Sequence, residues 1–217
     1  MKKKKLSPGI FFLAAFALWT TALCLIDVKP IGPENSSVGF SILNGWFHRL
    51  AGVHMTLYVL TDWLSLVPLG LVFGFGLLGL VQWIRRRSFK KVDSSILILG
   101  GFYVIVLLIY ILFEIFVLNY RPVLIDGILE ASYPSSTTML TICVMITALM
   151  QLHNRVRKPA LKTCITVMIL CFTAFMVIGR LLSGVHWLTD IVGGILLSTG
   201  LVLLYDSMVH MTQKTDL

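Results

Sequence analysis

Six apolar runs, none shorter than 17 residues, alternate along the chain with short polar segments. A bilayer core about 30 Å thick requires about 20 apolar residues per spanning helix. The expected fold is therefore all-α: a polytopic membrane protein with six transmembrane helices in one bundle. The spans are expected at about 10–26, 55–83, 94–118, 136–152, 163–182 and 185–209, in a single membrane domain covering residues 1–217. Composition agrees. Charged residues are 13% and hydrophobic residues 57% of the 217, with too little polar surface for a soluble domain.

Lys2 to Lys5 precede the first run, the pattern of a secretory signal. The run is long for such a signal and has no clear small-x-small cleavage site, so it reads as an uncleaved first span. Residues 38–50 carry Phe40, Ile42, Leu43, Trp46, Phe47 and Leu50 among polar residues. This suits an interfacial helix lying along the membrane in the first outer loop. Gly74, Gly76 and Gly79 match a dinucleotide fingerprint in form, but inside an apolar run with no preceding strand. With Gly70 they read as close helix packing. Cys24, Cys143, Cys164 and Cys171 read as small core residues in helices. Cys164 and Cys171 are about 10 Å apart along one helix, too far for a disulfide. No cysteine has metal-ligand spacing with a histidine, and no cofactor or metal is implied.

The net charge of +8 does not call for nucleic acid, because basic residues in a membrane protein first set orientation. Fourteen of the 18 Lys and Arg fall on one side: the N-terminus, residues 85–91, residues 155–162 and the tail. Both termini are then expected in the cytoplasm, and a plasma membrane location follows. The four basic residues left over are Lys29, Arg49, Arg121 and Arg180.

Arg180 lies inside an apolar run, where an arginine is costly unless it pairs or serves a site. His186 and Asp190 follow, four apart at an expected helix start and so on one face. The carboxylate can hold one imidazole nitrogen and leave the other free as nucleophile or base. Pro134, Ser135, Ser136, Thr137 and Thr138 open the fourth span, a good helix start and a ready anion site. Capping alone would need only one of these hydroxyls. Arg121 directly follows the third span, and a guanidinium fork suits phosphate. Together the three segments make a phosphoryl-transfer site at the outer surface.

With these residues the sequence resembles the type 2 phosphatidic acid phosphatase family of membrane lipid phosphate and undecaprenyl pyrophosphate phosphatases. That family carries Lys-x6-Arg-Pro, Pro-Ser-Gly-His and Ser-Arg-x5-His-x3-Asp in order. Arg121-Pro122 matches the end of the first, Pro134-Ser135 the start of the second, and Arg180, His186 and Asp190 the third, with Gly179 in place of Ser. The resemblance spans the third to sixth runs. It implies that His186 attacks phosphorus and becomes a phosphohistidine, with Asp190 orienting it. Arg121, Arg180 and Ser135, with the backbone N–H groups of Ser136 and Thr137, would hold the phosphoryl oxygens. The implied partners are membrane lipids, with a lipid phosphate or pyrophosphate as substrate.

Two positions depart from the pattern. Glu114 stands at the first-motif lysine and Thr137 at the second-motif histidine, the family's general acid. Losing a general acid typically costs about 10²–10⁴-fold. One reading keeps an enzyme whose leaving group tolerates weak protonation, such as a pyrophosphate. Glu114, Tyr133, His48 or His54 would be its possible proton donors. The alternative is an impaired member that binds lipid phosphate for transport, sensing or regulation. Glu114 can pair with Arg121 if the helix continues to residue 121, be a protonated acid, or face another helix. A transporter or scramblase of other ancestry would show broken helices in paired halves, and only the second run hints at one. An intramembrane protease lacks its motifs here.

Overall fold

A computed structural model of the chain describes residues 3–213. Lys2 and Lys214, two of the basic residues in the orientation argument, lie outside them. The described residues form helices α1 (Lys3–Leu25), α2 (Ser41–Ala51), α3 (Met55–Leu64), α4 (Leu66–Arg86), α5 (Ser94–Ile115), α6 (Ser136–Arg155), α7 (Pro159–Leu182) and α8 (Leu188–Gln213). Six segments are long and apolar enough to cross a bilayer, α3 and α4 together making one of them.

α3 and α4 meet at Ser65, whose hydroxyl donates to the Asp62 carbonyl at 2.5 Å. Pro68 has no N–H for the Leu64 carbonyl, which weakens the ladder at this junction. α5 stops at Ile115, three residues before the expected end of its span, because Phe116 leaves helical geometry (φ −100°, ψ 79°). α8 begins at Leu188, so Val185, His186 and Trp187 lie in a turn, not on the helix as expected. Gly184 at φ +70° reverses the chain there, and a Cβ on it would meet the Gly52 carbonyl oxygen. Asp190 sits in the first turn of α8 and its carboxylate accepts from the Trp187 N–H at 2.9 Å, satisfying a free donor at the helix start.

α6 and α8 form the centre, with 50% and 61% of their spans buried, against 11% for α1. Phe102 of α5, Met139 and Cys143 of α6 and Leu201 and Tyr205 of α8 belong to one buried core. The outer helices keep apolar faces such as Phe11, Leu18, Val104 and Met168 exposed, as lipid contact requires. Only Cys143 is buried. Cys24, Cys164 and Cys171 are exposed, contrary to their reading as core residues, because they sit on the outer helices α1 and α7, whose spans are only 11% and 22% buried.

α2 leaves Ile42, Trp46 and Leu50 exposed along one side, as an interfacial helix should. Its buried Asn44 anchors it. The amide donates to the Gly39 carbonyl (2.8 Å) and the Thr189 hydroxyl (2.9 Å), and its oxygen accepts from the Thr189 N–H (3.2 Å). The Trp19 indole donates to the Thr189 carbonyl at 3.1 Å, so α1 and α2 both hold the start of α8.

Of the glycines of α4, only Gly79 packs closely as expected, a Cβ there meeting Ile96 Cγ2 of α5 at 3.1 Å. Gly70, Gly74 and Gly76 have nothing within 4 Å of a Cβ position, because α4 and α5 stand apart along that stretch. Between them runs an apolar groove of about 990 Å³, floored by α6. It extends from Trp83 and Phe89 at one end of the bundle to Ser65, Ser136 and Thr137 at the other.

Candidate active site

The turn before α8, the last turn of α7, the first turn of α6 and the loop 116–135 meet at the Ser136 end of the groove. Helix ends leave backbone groups free, so four chain segments bring polar chemistry to one place without breaking a span.

His186 is buried at the centre. Its Nδ1 lies 3.0 Å from the Ser132 hydroxyl, which donates to Asp190 Oδ2 at 2.5 Å. That hydroxyl has one proton and gives it to the carboxylate. It must therefore accept from Nδ1–H, leaving the Nε2 lone pair available. Nε2 is buried and has no hydrogen-bond partner. Burial foremost, then the fields of Arg121 and Arg180, hold the His186 pKa well below its usual 6.5. The imidazole is neutral, the form a nucleophile requires.

Asp190 is fully buried and satisfied. It also accepts from Asn119 Nδ2 at 3.3 Å, and its backbone carbonyl accepts from the Ser135 N–H at 3.1 Å. Ser135 caps α6 through its hydroxyl and the Thr138 N–H, at 3.4 Å. Ser136 and Thr137 line the groove end.

Arg180 is 1% exposed, an unusual burial for an arginine. Its Nη2 donates to Asp62 Oδ1 and to the Thr137 hydroxyl, each at 2.8 Å. Its Nε and Nη1 have no partner. Arg121 lies 3.1 Å from Glu130 through Nε, without hydrogen-bond alignment, and its Nη1 is also unpartnered. Both guanidiniums stand over the Tyr58 ring, Arg180 at 4.7 Å and Arg121 at 5.7 Å. The quadrupole of that ring offsets part of the repulsion between the buried Arg180 and the partly buried Arg121.

A family model of the PAP2 superfamily matches residues 101–214. The chain belongs to the PAP2 superfamily. Among solved structures it is similar to the first transmembrane PAP2 type phosphatidylglycerolphosphate phosphatase from Bacillus subtilis. The TM-score is 0.54 at 17% identity, over 94% of this chain and 96% of that one, a likeness of fold. No curated protein matches the chain in sequence. All three PAP2 segments expected from the sequence, with Arg121, Ser135, Ser136, Thr137, Arg180, His186 and Asp190, come together at this one end of the bundle.

Four residues of the site were missed in the sequence. Ser132 and Asn119 lie just outside the PAP2 motifs and carry no signal of their own. Tyr58 and Asp62 lie before the region matched by the family model. Asp62, an acid inside an apolar span, had a signal that reading the basic residues alone passed over. Glu114 does not pair with Arg121. α5 ends at Ile115, and Arg121 turns instead to Glu130 across the Tyr120–Ala131 bridge. Among the described residues no group of three His, Cys, Asp or Glu is placed to hold a metal.

Proposed function

We propose that this PAP2 protein is a membrane lipid phosphatase that removes the terminal phosphate of a lipid phosphate or pyrophosphate through His186. The single observation that carries this reading is a set of buried polar atoms without partners: His186 Nε2, Arg121 Nη1, and Arg180 Nε and Nη1. Buried donors left unsatisfied cost about 1–3 kcal/mol each, and phosphoryl oxygens would satisfy the guanidinium N–H groups while the Nε2 lone pair faces phosphorus. The apolar groove ending at Ser136 and Thr137 supports a lipid as the carrier of that phosphate.

In this mechanism Nε2 attacks phosphorus in line. A P–N bond forms as the P–O bond to the lipid breaks. Arg121 and Arg180 stabilise the charge on the three equatorial oxygens. Water then attacks the phosphohistidine, breaks P–N and releases phosphate. Ser132 and Asp190 keep the imidazole tautomer fixed and balance the charge that grows on the ring.

The basic segments 85–91 and 155–162 lie at the opposite end of the bundle, which supports a site on the extracytoplasmic face of the plasma membrane with both termini in the cytoplasm. We read the 217 residues as one membrane domain. Candidate lipids are undecaprenyl pyrophosphate, phosphatidic acid and phosphatidylglycerol phosphate, the last named for the similar Bacillus subtilis protein. One observation favours the binding-only alternative: Thr137, at the usual general-acid position, is engaged by Arg180.

The test is phosphate release from these three lipids in detergent by wild type and His186→Ala. Release by wild type alone, with an acid-labile phosphoenzyme, is expected. No release from any lipid, or equal release by the variant, would sink the enzyme reading; bound lipid phosphate that dissociates intact would replace it with binding.

A further inference from the structure

We propose that Asp62 is a catalytic acid–base of this site, giving the departing lipid oxygen the proton that Thr137 cannot supply. The proposal rests on the lipid phosphatase reading and adds a residue to it from outside the family motifs.

Position carries the argument. In-line displacement puts the departing oxygen on the far side of phosphorus from His186. With the lipid body in the α4–α5 groove, that oxygen stands at the groove end, beside Thr137. Asp62 and Thr137 share one nitrogen, Arg180 Nη2, each at 2.8 Å, so they stand within two hydrogen-bond lengths of each other. Asp62 is also one turn before Ser65, a residue of the groove wall. Its side chain is 59% exposed, so it is not closed off inside the bundle as Arg180 is.

α3 holds this carboxylate in place. Gly179 lets α7 approach until a Cβ there would meet Thr61 Cγ2 at 2.8 Å, and the His54 N–H donates to the Ser183 carbonyl at 2.9 Å. Tyr58 and Asp62, four apart on α3, then both face Arg180.

The other candidate donors are engaged or placed elsewhere. Tyr133 shares its proton with the Thr20 hydroxyl at 2.7 Å, away from the groove. His54 Nε2 is bonded to the Ala51 carbonyl, and His48 lies against the Trp187 ring. Glu114 borders a small cleft beside Ser132 that adjoins the groove at Tyr110, Ser136 and Met139, and it makes no ion pair with either site arginine.

The proton balance is simple. The proton enters with the substrate: the lipid phosphate arrives as a monoanion, and its P–OH donates to the Asp62 carboxylate beside Arg180. As P–N forms and P–O breaks, that proton passes from the carboxyl to the departing oxygen. In the second step the Asp62 carboxylate takes a proton from the attacking water, and the P–N bond breaks.

The test compares kcat/KM, which reports events up to departure of the lipid, for two leaving groups. Phosphatidic acid needs protonation of an alkoxide, and p-nitrophenyl phosphate does not. Asp62→Asn is expected to lose about 10²–10⁴-fold on phosphatidic acid and about tenfold or less on the aryl ester. Each preparation is its own control for folding, because the readout is a ratio. Adding Thr137→His to Asp62→Asn is expected to restore the phosphatidic acid rate. Equal losses on both substrates would reduce Asp62 to a positioning residue and overturn the proposal. So would a selective loss in Glu114→Gln instead. If wild type hydrolyses neither substrate, the phosphatase reading falls and this proposal with it. If His186→Ala is inactive while Asp62→Asn loses uniformly, only this proposal falls.

Discussion

His186 Nδ1 and Asp190 Oδ2 are 3.9 Å apart, and Ser132 Oγ bridges them at 3.0 and 2.5 Å. The pair that a four-residue spacing suggests is a three-member relay. Removing the bridge in Ser132→Ala leaves Nδ1–H without an acceptor and takes one donor from a buried carboxylate. A hydrogen bond to a charged group is worth about 1.5–3 kcal/mol, so the rate of phosphoenzyme formation is expected to fall about 10–150-fold. Rapid-quench measurement of the phosphohistidine checks this. An unchanged rate would show that the direct 3.9 Å approach suffices.

The depressed His186 pKa fixes the sign of a pH effect. The neutral imidazole persists as pH falls through 6.5, and protonation removes it only at lower pH. The acid limb of kcat/KM is expected below 6.5, and a limb at or above it would contradict the burial argument. The same shift bears on folding. The unfolded chain takes up this proton near 6.5 and the native state does not. The stability it confers is complete above 6.5 and is lost as pH drops toward the lowered value.

Tyr58 is expected to act through its ring. Cation–π contacts are worth about 0.5–2 kcal/mol, so Tyr58→Leu should lower kcat/KM about 2–30-fold. Tyr58→Phe should retain nearly all of it, since both guanidiniums stand over the ring. A large loss in Tyr58→Phe would assign the phenol a separate role.

Gly76 borders the groove with nothing within 4 Å of a Cβ position. Gly76→Leu therefore fills groove volume without displacing a neighbour. KM for a long-chain lipid phosphate is expected to rise about tenfold, within the 1–3 kcal/mol typical of overpacking, while p-nitrophenyl phosphate is hydrolysed as before. Equal effects on both would show that the lipid chain lies elsewhere.

Asn44 makes two buried hydrogen bonds from α2 to Thr189 at the start of α8 and a third to the Gly39 carbonyl. Asn44→Ala strands the Thr189 N–H and is expected to cost about 1–3 kcal/mol. Thermal unfolding in detergent measures the loss, and a shift too small to detect would argue that water replaces the amide.

Much of the architecture was legible because lipid is a strict solvent. A bilayer demands long apolar helices, so Leu6–Leu25 or Ser94–Ile115 announce themselves through composition alone. The motif residues were legible for a related reason. An arginine such as Arg180 inside an apolar run is too costly to lack a purpose. Residues with no such cost were silent: Ser132 and Asn119 are ordinary polar residues of a loop until the fold sets them against Asp190.

The sequence by itself determined the all-α membrane fold, the six spans and the PAP2 segments that carry Arg121, Ser135, Arg180, His186 and Asp190. These depend on hydropathy, charge and short spacings, which are local properties of the chain. Only the tertiary structure decided that His186 precedes α8, that Ser132 bridges it to Asp190, and that α4 stands off α5 to leave a groove. It alone brought Asp62 and Thr137, 75 residues apart in the chain, onto one nitrogen of Arg180. Such contacts depend on how helices cross and where their ends meet. That is set by packing across the whole bundle, which no single stretch of sequence contains.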